Sequence, residues 1–181
     1  QATLKDVGPQ TGTHLKCYCD DCRAVHNHLR QSDPGDAGID LFQPTPDKIN
    51  VIKGGENLAV LTLAPKGMLR WYAKCCSTPM FNTLLSPKMA FVGVLTENFD
   101  DQDALPPLDA RVNMKDANGK LKHEGMAKVG VRVIRRMAAA RISGRWKATP
   151  FFDTSTGDAV ADPQVISKED RDAAYAFGST S

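Results

Sequence analysis

The sequence predicts a mainly β protein with peripheral helices. Between Gly38 and Leu95, short apolar segments follow one another, and glycine- and proline-containing turns interrupt them at regular intervals. This spacing favours an antiparallel β core. Helical signals lie outside that region. The predicted strands are residues 13–19, 39–43, 48–52, 58–64, 68–74, 80–85 and 89–95.

The sequence of each segment in the β region also indicates where that segment lies in the fold. Residues 1–12 contain Gly8, Pro9 and Gly12 and are expected to be irregular. The strand at 58–64 is apolar on both faces, which predicts a central position in the sheet. Along the strand at 68–74, neighbouring side chains alternate, so Trp71 and Tyr72 are expected on opposite faces, with at least one ring in the core beside the corner that holds Cys17, Cys19 and Cys22.

Three helices are predicted from caps and periodicity. The first runs from an N-cap at Asp20 to about residue 30. The second, about 128–143, has an apolar stripe and ends at Gly144. The third follows the capping residue Ser167 and continues to about residue 177. An exposed hairpin is expected at Asn118-Gly119, after an acidic surface loop at 97–108.

The size of the chain, 181 residues and 19.7 kDa, predicts a single domain over residues 1–181. We expect a core at about 13–95 and a C-terminal helical and hairpin extension at about 97–181. The net charge of +2 indicates no strong attraction to nucleic acid or to a membrane surface. The longest apolar run, residues 89–95, is far too short to span a bilayer. A cytoplasmic location with reduced thiols is therefore expected.

The five cysteines form two clusters. Cys17, Cys19 and Cys22 lie within six residues, and Cys75 and Cys76 are adjacent. At a strand-to-helix corner the first three sulfurs would converge, and the helix N-terminus favours the thiolate form that a metal needs. Thiols this close pair poorly in disulfides but suit one Zn²⁺ ion. The sequence therefore predicts a zinc site at this corner.

Two other interpretations of the first cluster are less favoured. A redox pair at Cys19 and Cys22 is disfavoured because the aspartates between them oppose thiolate formation. A disulfide framework conflicts with the odd number of cysteines. His26, one turn after Cys22, is either a fourth zinc ligand or, in the favoured interpretation, a surface histidine or one that supports the ligands.

Arginines are frequent on the second predicted helix, which carries Arg132, Arg135, Arg136 and Arg141. A phosphate-binding face is one interpretation. A solvated face is favoured because the arginines spread around the helix and no aromatic residues alternate with them for base stacking. Nucleic-acid binding is therefore not expected.

With both cysteine clusters placed, the sequence resembles the glutathione-dependent formaldehyde-activating enzyme family, which includes centromere protein V. Residues 17–23, Cys-Tyr-Cys-Asp-Asp-Cys-Arg, resemble its C-H-C-x-x-C-R segment. Gly54-Gly55 and residues 69–79 resemble its glycine turn and its R-x-F-C-x-x-C-G-T-P segment. The resemblance covers about residues 13–95 and points to a divergent, mostly bacterial branch. It implies a zinc-pinned β-tent of small antiparallel sheets.

The resemblance also implies roles for the cysteines. Cys17, Cys19 and Cys22 match the ligands of the family's active-site zinc. In the family, a second, structural zinc is held by an upstream C-x-C and a later C-x-x-C. Residues 1–12 contain no cysteine, and only Cys76 matches a cysteine of the later pair. Cys75 is an additional cysteine. We therefore expect no complete second site, and at most one sulfur from Cys75 and Cys76 at the first.

Two functions follow from the number of ligands. With three thiolates and an open position, Zn²⁺ would bind and deprotonate an incoming thiol. The resemblance implies that this thiol is glutathione or a similar small thiol, in a carbon–sulfur lyase acting on aldehyde adducts. With Cys75 or Cys76 as fourth ligand, the site would be a closed, non-catalytic structural module.

Overall fold

The computed structural model describes residues 1–177 and shows a mainly β protein with three helices. A nine-stranded mixed sheet has the order β10-β9-β2-β3-β8-β7-β6-β5-β11, and β1 and β4 form a separate antiparallel pair. The strands are β1 Ala2–Leu4, β2 His14–Cys17, β3 Ile39–Phe42, β4 Ile49–Val51, β5 Leu58–Thr62, β6 Leu69–Ala73, β7 Thr78–Thr83, β8 Val92–Leu95, β9 Ala110–Lys115, β10 Leu121–Glu124 and β11 Gln164–Val165. The helices are α1 Asp20–His28, α2 Met126–Ile142 and α3 Lys168–Ala174.

The fold is therefore mainly β with peripheral helices, but the sheet is not the expected set of small antiparallel sheets. Strands β2 and β9 pair in parallel, as do β5 and β11. The two added pairings extend a single sheet at both ends, because strands from residues 110–124 and 164–165 join those of the predicted core. The irregular segment expected at 1–12 is also partly wrong, since β1 pairs with β4.

Local signals located the helix ends and the hairpin well. Gly144 has a φ of 77° directly after α2, and Gly119 a φ of 75° in the turn between β9 and β10. Ser167 caps α3, where its hydroxyl accepts a hydrogen bond from the amide of Asp170. Two details differ. The N-cap of α1 is Cys19 rather than Asp20, and α3 ends at Ala174.

The core has two sides. Trp71, 1% exposed, packs against Phe81, Phe151 and Phe152 on one side of the sheet. The prediction of a buried ring in β6 is thus confirmed, but its expected place beside Cys17, Cys19 and Cys22 is wrong, because those residues belong to a different core cluster. On the other side, α1 and α3 cover Leu61 and Leu63 next to a half-buried Tyr72. Strand β5 is therefore covered on both faces, although it lies next to an edge strand rather than in the centre of the sheet.

Two of the four arginines of α2 form hydrogen bonds and ion pairs within the protein. Arg132 forms an ion pair with Asp109, and Arg136 donates to the carbonyl of Gln43. Arg141 lies over the ring of Trp146, 4.9 Å from its centroid. The expectation of a solvated arginine face is therefore wrong for Arg132 and Arg136, because the loops before β2 and after β3 come up against the helix, while Arg135 and Arg141 are exposed as expected. None of the helices described in residues 1–177 is long and apolar enough to cross a membrane.

Candidate metal centre

Strand β2 and the first turn of α1 bring three sulfurs together. Cys17 ends β2, Cys19 is the N-cap residue of α1, and Cys22 lies in its first turn. The amide of Cys22 donates to the carbonyl of Cys19, which closes the turn. The alternation along the strand and the helical turn together direct all three side chains toward one point.

The distances among the sulfurs suit a metal. Sγ of Cys17 lies 3.4 Å from Sγ of Cys19 and 3.9 Å from Sγ of Cys22. All three sulfurs lie within 4.8 Å of one another, the one such group of metal-ligating side chains found among residues 1–177. Two sulfurs bound to a tetrahedral zinc at about 2.3 Å lie about 3.8 Å apart. The spacing therefore fits three ligands of one ion.

The three thiols hold their protons unequally. Hydrogen bonds with the sulfurs of Cys19 and Cys22 lower the pKa of Cys17 to about 2. The same contact with Cys17 raises the pKa of Cys19 to about 11, and contacts with both other sulfurs raise the pKa of Cys22. A cation that binds the three sulfurs as thiolates must displace protons from the cluster, so its affinity falls as the pH falls.

Two side chains from distant strands contact the sulfurs. Arg70 of β6 is only 8% exposed, and its Nη1 donates to Sγ of Cys22 over 3.7 Å. Asn113 of β9 donates from Nδ2 to Sγ of Cys17 over 3.6 Å. Sequence reasoning assigned neither residue to the site. Arg70 lies within residues 69–79, the second segment that resembles the known family. Its position beside Cys22 depends on tertiary structure, because α1 packs against β2 through Cys22 and against β5 through its later residues.

The aspartates between the cysteines are occupied elsewhere. Asp20 forms an ion pair with Lys115, 2.8 Å away, and Asp21 accepts a hydrogen bond from the hydroxyl of Tyr175 at 2.6 Å. Both carboxylates therefore have partners of their own, one on β9 and the other directly after α3. Among the charged side chains of residues 1–177, it is the guanidinium of Arg70 that contacts a sulfur of the cluster.

Cys75, Cys76 and His26 are not part of the three-sulfur group. Cys75 and Cys76 are exposed in the turn between β6 and β7, with their sulfurs 3.8 Å from each other. They lie in a turn and not in an extended segment, so their side chains do not point to opposite sides as those of neighbouring strand residues do. His26 is buried rather than at the surface, with Nε2 3.8 Å from a carboxylate oxygen of Glu97. Burial lowers the pKa of His26.

A cavity of about 370 Å³ adjoins the cluster. The three cysteines and Arg70 form one part of its wall, and the amides of Gln43, Asn82 and Asn113 form another. One face of α2 forms an apolar wall that consists of Met126, Val129, Gly130, Val133 and Ile134. The predicted apolar stripe of α2 is correct for Val129, which is buried, but not for Ile142, which is exposed.

One comparison with known families gives a match. The model described as "Family of unknown function (DUF6151)" matches residues 3–162. Because this match covers well over half of the chain, the chain belongs to that family. The matched region includes all five cysteines and Arg70, and it ends before α3. No curated protein sequence matches the chain.

Proposed function

We propose that the protein binds one Zn²⁺ ion through Cys17, Cys19 and Cys22 and uses the fourth coordination position for a small thiol such as glutathione. The expected reaction is formation or cleavage of the carbon–sulfur bond between that thiol and an aldehyde. On this proposal the fold is a divergent, zinc-pinned relative of the β-tent of glutathione-dependent formaldehyde-activating enzymes. The observation that carries it is that three convergent sulfurs adjoin a cavity, while Cys75 and Cys76 lie outside the group.

The donor set fits zinc chemically. Sulfur is a soft ligand, and the spacing of the three sulfurs agrees with tetrahedral coordination. Three thiolates and one Zn²⁺ carry a net charge of −1, which is costly in a buried site without a counter-charge. Arg70 provides that charge at 3.7 Å from Cys22, so the complete site would be close to neutral.

Each of the surrounding groups has a part in this chemistry. Zinc bound there would favour the deprotonated form of an incoming thiol, which is the form that adds to a carbonyl carbon. Asn113 holds the sulfur of Cys17 in place through Nδ2. The wall of α2 offers apolar surface on one side of the cavity, while the amides of Gln43 and Asn82 are available to the polar groups of a substrate. The guanidinium of Arg70 provides a positive charge near the incoming thiolate.

One observation favours the structural alternative. Cys17 and Cys22 are buried in a core cluster with Leu15, Ile39 and Val112, so a metal ion would also join β2 to α1 inside the core that these strands share with β3 and β9. A purely structural ion would have four protein ligands and no position for an added thiol. The two functions therefore predict different outcomes when an external thiol is added: it joins the coordination of the metal in the catalytic site and leaves it unchanged in the structural one.

X-ray absorption of the zinc-loaded, reduced protein tests the proposal. We expect three sulfur neighbours and one lighter atom, and four sulfurs after glutathione is added. Four sulfurs without glutathione, or no change on its addition, would establish the structural alternative. An assay of adduct formation from glutathione and formaldehyde would then compare the parent with Cys19→Ser, which should be inactive.

A variant in the cavity separates substrate binding from metal binding. A side chain at Gly130 meets no atom within 4 Å of its Cβ, so Gly130→Leu should extend into the cavity without a clash. We expect weaker binding of glutathione at unchanged zinc content. Ala139→Leu, on the exposed side of the same helix, is the matched control and should bind glutathione as the parent does.

A further inference from the structure

Cys75 and Cys76 form a pair of exposed thiols with an unusual geometry. They lie in the turn at residues 74–77, where Ser77 has a positive φ of 56°. Their sulfurs are 3.8 Å apart although the residues are adjacent in sequence. Neither sulfur belongs to the candidate metal centre. This turn therefore presents two accessible thiols within reach of each other.

The two thiols differ in their surroundings. Sγ of Cys76 lies 3.0 Å from the hydroxyl of Thr78, the first residue of β7, and 3.9 Å from the carbonyl of Ala73. Hydrogen bonds from the hydroxyl and the backbone of Thr78, together with the neighbouring Cys75 thiol, lower the pKa of Cys76. No such hydrogen bond to Thr78 is found for Cys75 in residues 1–177. Cys76 is thus the better nucleophile, and Cys75 is placed to attack it afterwards.

We propose that Cys75 and Cys76 form a thiol-oxidation site, separate from the metal centre, that reacts with low-molecular-weight disulfides and closes to a disulfide between the two adjacent residues. In the first step, the thiolate of Cys76 attacks one sulfur of the small disulfide and releases one small thiolate. Cys75 then loses its proton to water and attacks Sγ of Cys76, which releases the second small thiolate. The protein dithiol is oxidised, and the small disulfide is reduced to two thiols.

The bond formed in this way should be easy to reduce. The Cα atoms of adjacent residues joined by a trans peptide are about 3.8 Å apart, whereas disulfides usually join Cα atoms about 4.4–6.8 Å apart. The resulting strain, together with exposure to solvent, is typical of labile disulfides that respond to redox conditions. The site would therefore be a reversible one. It does not depend on the proposed zinc chemistry.

Peptide mapping after treatment with oxidised glutathione tests this inference. Trypsin cleaves after Lys74 and Lys88 and releases both thiols on peptide 75–88, while Cys17, Cys19 and Cys22 are released on peptide 17–23. We expect peptide 75–88 of the full-length, zinc-loaded protein to lose two hydrogens and to resist alkylation, and dithiothreitol to reverse both changes. Peptide 17–23 from the same digest reports whether the metal centre has been affected.

Three variants identify the role of each residue. Cys75→Ser should stop at a stable mixed disulfide on Cys76, formed at the parent rate. Cys76→Ser should react more slowly, and Thr78→Val should slow the first step about three- to tenfold, because a weaker hydrogen bond lowers the thiolate fraction of Cys76. All three positions lie at the turn, and thermal melts would verify the fold.

The inference is wrong if the parent accumulates the mixed disulfide, if it forms disulfide-linked dimers, or if peptide 75–88 remains fully alkylatable. It is also wrong if Cys76→Ser reacts as fast as Cys75→Ser, because the assignment of Cys76 as the attacking thiol would then fail.

Discussion

Replacement of Arg70 by methionine tests the electrostatic design of the candidate metal centre. The guanidinium is almost completely buried and lies 3.7 Å from Sγ of Cys22. Two unit charges at this distance attract each other by about 4 kcal/mol at an effective dielectric constant of about 20. Removal of Arg70 also removes the cost of burying it, so the net loss is smaller. We expect zinc affinity to fall about 10- to 100-fold, the range typical of residues that support metal ligands.

Competition with a zinc-binding dye measures this loss directly. Arg70→Met should release zinc at a correspondingly lower dye concentration than the parent. Arg70→Lys keeps the positive charge, so the dye concentration that it requires should lie between those of the parent and Arg70→Met. Arg171→Met is the matched control, because Arg171 lines a neighbouring cavity together with Arg70 but contacts no cysteine sulfur in the described residues. Circular dichroism of the metal-free proteins would verify folding. Zinc affinity of Arg70→Met within about twofold of the parent would refute the reasoning.

Three further predictions concern the metal, the charges and the core. Cys19→Ser, at a half-buried position, should abolish zinc binding by metal analysis and lower the melting temperature only when zinc is present; full occupancy would contradict the site. The hydrogen-bonded Arg23 lowers the pKa of Asp33 from 3.8 to about 2, so the stability from this pair is complete above 3.8 and is lost as the pH falls toward 2. Asp33→Asn should therefore cost less than about 1 kcal/mol at neutral pH, and the difference between the two melting curves should shrink below pH 3.8 and vanish only below pH 2; a constant difference would disprove this. Trp71→Ala should cost about 3–5 kcal/mol in denaturant unfolding. Thr83→Val, which leaves the indole N–H without its acceptor at 2.8 Å, should cost about 1–3 kcal/mol, and no loss would show that the bond does not matter.

The sequence determined the features that depend on neighbouring residues. Most strands and all three helices occur close to their predicted positions, because alternation, caps and turn residues act over a few residues. The same is true of the cysteine cluster. Cys17, Cys19 and Cys22 converge because a strand and a helical turn meet within six residues, so their spacing alone predicted the group.

The tertiary structure decided everything that joins distant residues. Arg70 and Asn113 reach the sulfurs from β6 and β9, which lie 48 and 96 residues along the chain from their partner cysteines. The wall of the cavity comes from α2, and the parallel pairing of β2 with β9 results from the same long-range arrangement. No local pattern encodes such contacts, because they depend on the order of strands in the sheet.

The turn at Cys75 and Cys76 shows the same limit at short range. The sequence showed two adjacent cysteines, and an extended backbone would have separated their side chains. In the hairpin between β6 and β7 they instead lie within the turn formed by residues 74–77, in which Ser77 has a positive φ. The predicted strands at 68–74 and 80–85 already placed both cysteines in the connection between them, but only the pairing of β6 with β7 shows the conformation of that turn and how closely the two sulfurs approach.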